Sequence, residues 1–85
     1  MRYFEVEFAY GREKNYATAA TCCMLAETEP TYEGVEEFFR KHDDYFHYGE
    51  SGYVSVSSIK EISSEYAHRC FNLYGETEFP VYGRN

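Results

Sequence analysis

Arg2–Tyr10 reads RYFEVEFAY, and the architecture follows from how this stretch is placed. Along an extended chain Phe4, Val6, Phe8 and Tyr10 point one way, and Tyr3, Glu5, Glu7 and Ala9 point the other. Strict alternation in aromatic and β-branched residues predicts a strand with one face buried and one face wet. The rest of the chain must supply strand partners and an apolar layer over Phe4, Val6 and Phe8.

The flanking sequence supplies candidates for both. Gly11-Arg12-Glu13-Lys14-Asn15 is a polar run whose Gly and Asn tolerate a hairpin loop. A second strand then runs back antiparallel from Tyr16 to about Ala26. Ala19, Cys23 and Leu25 are read as its core face, with Tyr16, Thr18 and Ala20 outward. The Ala-rich middle also reads as a helix with Cys22, Cys23 and Ala26 on one side; we prefer the strand. Glu27–Pro30 is a break, because Pro30 cannot continue a ladder.

Thr31 is a fair N-cap for a helix starting at Tyr32. Val35, Phe38, Phe39, His42 and Phe46 fall on one helical stripe. On the opposite side Glu36 and Arg40, and Glu37 and Lys41, stand four residues apart. Asp43 and Asp44 oppose the helix dipole, so the regular helix is expected to stop near His42. Gly49–Gly52 is a turn. Tyr53 to about Ser57 is a third strand with Val54 and Val56 inward. Ile59 and Ile62 carry apolar contacts through a connecting turn. Ser63 or Ser64 caps a second helix, roughly Glu65–Tyr74, and Gly75 stops it. Phe79, Val81 and Tyr82 suit a short edge strand.

The order β-β-α-β-α gives a small α+β fold in a single domain, residues 1–85. The economical packing places both helices on one face of the sheet. The other face, with Tyr3, Glu5, Glu7, Tyr16, Thr18, Tyr53, Ser55 and Ser57, is then expected to be open.

Composition bounds the function. A chain of 85 residues buries roughly 60–65% of its unfolded surface, which makes a small core. Hydrophobic residues are 44% and aromatics 20%, enough for a globular domain and too many for a disordered one. The 10 tyrosines also suit recognition surfaces. Eight basic against 15 acidic residues leave a net charge of −7. That charge argues against direct nucleic-acid binding and against anionic membranes. It suits a basic protein partner. The chain enters its first strand without an apolar leader, and it has three cysteines. We expect reduced thiols and a cytoplasmic location.

No catalytic or cofactor motif stands out, and the expectation is no enzyme, no cofactor and no metal. Cys22 and Cys23 are adjacent and point to opposite faces of a strand, unlike the C-x₂-C spacing of zinc sites. Nothing in the sequence brings a cysteine to His42, His47 or His68 as a nucleophile and its base. No calcium-loop pattern occurs. The carboxylates from Glu27 to Asp44 read either as a solvated helix face or as a docking surface. Candidate partner-binding residues are Glu33, Glu36, Glu37, Asp43 and Asp44, or the Tyr3, Glu5, Glu7 and Tyr53 face. Glu5 and Glu7 among those tyrosines would repel phosphate, so a protein suits that face better than RNA.

MRYFEVEF at residues 1–8 and YVSVSSIKEISSEYA at 53–67 together resemble short, uncharacterised proteins of phages and conjugative elements of gut bacteria. The stretch Ala26–Gly34 departs from that pattern. In size, acidity and tyrosine content the chain is also similar to anti-CRISPR and other anti-defence inhibitors. Several of those present carboxylates where a nuclease expects phosphates. The sequence resemblance implies provenance more than activity; the likeness in size and charge points to an inhibitor that binds a basic nucleic-acid-handling protein, such as a nuclease. The alternative is an assembly module that forms a homodimer through an open sheet face or strand edge.

Overall fold

The computed structural model describes residues 1–41, 53–71 and 79–83. Its elements are β1 (Arg2–Gly11), β2 (Thr18–Ala26), α1 (Tyr32–Lys41), β3 (Tyr53–Ile62) and α2 (Ser64–Phe71). The fold is α+β, with a three-stranded antiparallel sheet in the order β2-β1-β3. The RYFEVEFAY strand is central. It pairs Arg2–Tyr10 with Thr18–Ala26 on one side and Tyr3–Gly11 with Tyr53–Ile62 on the other.

The second segment is a strand but starts later than expected: a short 3₁₀ turn takes Lys14–Tyr16, and β2 begins at Thr18. The hairpin is tight at Gly11. A Cβ there would meet the Tyr16 carbonyl oxygen at 2.7 Å, which favours glycine. β2 presents Ala20, Cys22, Met24 and Ala26 to the core beside Phe4, Val6 and Phe8. The expected facing of Ala19, Cys23 and Leu25 is thus corrected to the opposite face. Ala, Cys, Met and Leu are apolar in both phases, so pairing with β1 decides which row turns inward.

β3 extends to Ile62, beyond the expected Ser57. Ser58 pairs with Glu7 and Val56 with Phe8, so Ser57 is the extra residue of a bulge. Its hydroxyl donates to the Glu7 carbonyl at 3.1 Å. The bulge resets the phase, and Val54, Val56 and Ile59 all face the core.

α1 begins as its sequence requires. Thr31 Oγ1 accepts the Gly34 N–H at 3.0 Å, and the Thr31 carbonyl accepts that of Val35. Val35, Phe38 and Phe39 are buried, and the Phe39 ring lies 4.6 Å from that of Phe8. The rest of the expected stripe, His42 and Phe46, lies outside the described residues.

Ser63 caps α2, accepting the Tyr66 N–H at 3.0 Å. The expectation that both helices share one face does not hold. The His68 ring lies 5.6 Å from that of Tyr3, and Ala67 is fully buried outside the Phe4–Phe39 cluster. Tyr3 alternates with Phe4, so α2 covers one end of the second face while α1 covers the first. Helix polarity alone does not choose between two faces that both offer apolar surface.

The tail docks on the outer edge of β2 through a single bridge. The Leu25 N–H donates to the Pro80 carbonyl at 2.9 Å, and the Tyr82 N–H to the Leu25 carbonyl at 2.8 Å. Val81 thereby pairs in parallel with Leu25. Tyr82 packs on Phe38 on one side of the sheet, and Phe79 meets Tyr3 and His68 on the other. At Gly34 a Cβ would collide with the Tyr82 hydroxyl, so a side chain there would push the Tyr82 ring aside.

Candidate functional site

The acidic segment enters and follows the first turn of α1. Glu27 and Glu29 sit exposed on the connection from β2, and Glu33 is exposed in the first helical turn. Anions are favoured there by the N–H groups and the helix dipole. Among the described residues none of these three carboxylates has an ion-pair partner within 4 Å. Tyr32, beside them, is 48% exposed. The same end of the sheet holds a cleft of about 270 Å³ lined by Met1, Ala26, Glu27, Thr28, Tyr82 and Gly83.

The other carboxylates of α1 separate. Glu37 is exposed and pairs with Lys41 at 3.4 Å. Glu36 is turned inward and accepts the Val56 backbone N–H at 2.9 Å. It serves the outer edge of β3, which corrects its placement with the exposed carboxylates. The helical periodicity that groups 33, 36 and 37 does not reveal that β3 leaves a backbone donor in reach of 36. Asp43 and Asp44 lie outside the described residues.

The second candidate set does not converge on one site. Tyr3 is half-buried under α2 and Phe79. Glu5 is half-buried beside Tyr66, whose hydroxyl is pushed above its ordinary value. The largest cause is its hydrogen bond with Cys70, followed by the charges of Cys70 and Glu5. Glu7 is exposed. Tyr53 stands opposite Gly11, eight residues along β1 from Tyr3, which is roughly 27 Å at strand rise. The face expected to be open is therefore half covered, and its exposed part centres on Glu7.

Burial controls the thiol chemistry. Cys22 faces the core, and desolvation pushes its thiol up to about 12. Cys23 lies on the second face beside Glu5, and burial first, then the Glu5 charge, pushes it to about 11. Both are neutral thiols at pH 7, which are poor nucleophiles and poor ligands. His68 Nδ1 is held at 2.8 Å from the Ser64 carbonyl. Among the described residues no three His, Cys, Asp or Glu side chains converge to hold a metal. Nor is any described helix long and apolar enough to cross a membrane.

No family model, curated protein or solved structure matches this chain. Fold and site together define a small α+β domain with an acidic, tyrosine-flanked entry to its first helix.

Proposed function

We propose that this chain is a non-enzymatic, cytoplasmic interaction protein that binds and restrains a basic, nucleic-acid-handling protein such as a nuclease. A phage or other mobile element is the source that its resemblance in sequence suggests. The observation that carries the reading is the set Glu27, Glu29 and Glu33, exposed beside Tyr32 and with no described cation within 4 Å, although the Glu29 charge also acts on Arg2. Carboxylates exposed on the connection into α1 can stand where a basic groove expects phosphates. They set association rate and partner choice, while the tyrosine supplies contact area. A net charge of −7 disfavours direct binding to nucleic acid or anionic lipid.

The test is capture from host lysate at low and high salt with wild type and Glu29→Lys/Glu33→Lys. A basic nucleic-acid enzyme, retained only at low salt by wild type and inhibited by it, supports the reading. Capture indifferent to salt and to charge reversal overturns it. The second reading, a homodimer assembled through a strand edge, rests on the uncharged outer edge of β2. Light scattering that gives a monomer at high concentration removes it.

A further inference from the structure

The two edges of the sheet are finished differently. The β3 edge carries the Ser57 bulge, the charges of Lys60 and Glu61, and the Glu36 carboxylate on the Val56 N–H. These are devices that block strand addition. β2, TAATCCMLA, has no charge, no proline and no break in its register with β1.

Leu25 shows which way the β2 backbone faces, since both its N–H and its C=O bond the tail. By the alternation of an antiparallel pair, Ala19, Thr21 and Cys23 direct their N–H and C=O groups outward too. The tail shows that this edge accepts a backbone partner, through a single bridge at Leu25, and Pro80 limits its extension. A parallel ladder continued from Val81 needs an N–H at residue 80 for the Cys23 carbonyl, and proline has none. Among the described residues no other backbone pairs with Ala19, Thr21 or Cys23 on the outer side.

We infer that the outer edge of β2, from Thr18 to Cys23, takes an extended basic segment of a partner protein as an added strand. Backbone bonds to Ala19, Thr21 and Cys23 give affinity, and charge gives choice. An added strand lies about 9–10 Å from β1, two strand spacings away. On the second face only Ala19 and Thr21 stand between, and both are small. A lysine or arginine of the added strand reaches across them to Glu7, which is exposed and opposite Thr21. A second copy of the chain pairing through its own uncharged β2 would bring no cation opposite Glu7. The partner's basic character rests on the function proposed above; the edge pairing is tested separately.

The probe is a capped peptide of alternating lysine and threonine, followed by amide shifts and hydrogen exchange. Binding should protect the amides of Ala19, Thr21 and Cys23, and a glutamate–threonine peptide should not bind. Glu7→Lys should weaken the lysine peptide roughly fivefold, the scale of one exposed ion pair. Thr21→Pro, which removes an outward N–H, should abolish binding with the circular dichroism unchanged. Backbone N-methylation of the peptide tests the same bond without altering the protein. Equal binding of the methylated peptide, or protection elsewhere, overturns the inference. So does a dimer that protects these amides without peptide. If Thr21→Pro captures the lysate partner as wild type does while Glu33→Lys fails to, the edge inference falls and the proposed function stands. If the peptide pairs at β2 but lysate yields no salt-sensitive partner, the edge inference stands and the proposed function falls.

Discussion

Under α1 the sheet buries whole rings and branched chains: Phe4, Val6, Phe8 and Met24 meet Val35, Phe38 and Phe39. Among the described residues, under α2 it buries little more than Cys23 and Ala67, rimmed by the contacts of Tyr3, His68 and Phe79. The first face holds most of the apolar area and hence most of the stability. The second is a close, shallow fit that leaves Glu7 uncovered. On this contrast α2 is a local unit seated on a sheet stabilised from the other side. Regions with few buried apolar contacts open at lower free energy than the core.

Phe39→Ala puts the contrast between the faces under the heaviest load. Phe39 is fully buried against Phe8, and its loss should cost about 3–5 kcal/mol in urea denaturation. A loss below about 1 kcal/mol would mean that the first face does not dominate. Ala67→Leu should cost less, about 1–3 kcal/mol from overpacking. It should also abolish the Tyr3–His68 contact in NMR spectra while leaving the Phe8–Phe39 contact intact. Global unfolding by this change would erase the distinction between the faces.

Glu36→Ala strands the Val56 N–H at the β3 edge and should cost about 1 kcal/mol, with Glu36→Gln recovering most of it. Equal losses in both variants would show that the charge matters and the acceptor does not.

The thiols report on both faces at once. Their folded values lie above the ordinary 9.0, so their contribution is intact below about pH 9 and is lost as pH rises toward 11–12. Cys22→Ala/Cys23→Ala should flatten that alkaline decline. At neutral pH a maleimide should label exposed Cys70 first and reach Cys22 and Cys23 only on unfolding.

The smallest effect belongs to the exposed pair of Arg2 and Glu61, 2.9 Å apart. Its hydrogen bond to Arg2 holds the Glu61 carboxyl below the ordinary 4.5. The pair's contribution is present above that pH and is lost as pH falls through the lowered value. Acid titrations of wild type and Glu61→Gln, which leaves Arg2 over the Phe4 ring, should therefore converge at low pH.

Much of the fold is legible in the chain. β1 reads from its alternation, α1 from the Val35–Phe38–Phe39 stripe and Thr31, and α2 from Ser63. The tail composition suits an edge position, but its seating on β2 as one bridge from Val81 to Leu25 is decided by tertiary structure. The facing of β2 does not, because its two phases hardly differ in polarity. The bulge is visible only as a phase break between Val56 and Ile59. Of the candidate site, the exposure of Glu33 and Glu37 follows from helical periodicity. The inward turn of Glu36 depends on a backbone donor twenty residues away in β3.

Class, element order and caps are written in the amino-acid sequence, because they rest on local periodicity and on hydrogen bonds spanning three or four residues. Which face each helix covers, which β2 row is buried and which strand edge is closed are settled in three dimensions. Those outcomes depend on pairing between distant segments. A strand that is apolar or small on both sides fits either arrangement until its neighbours are in place.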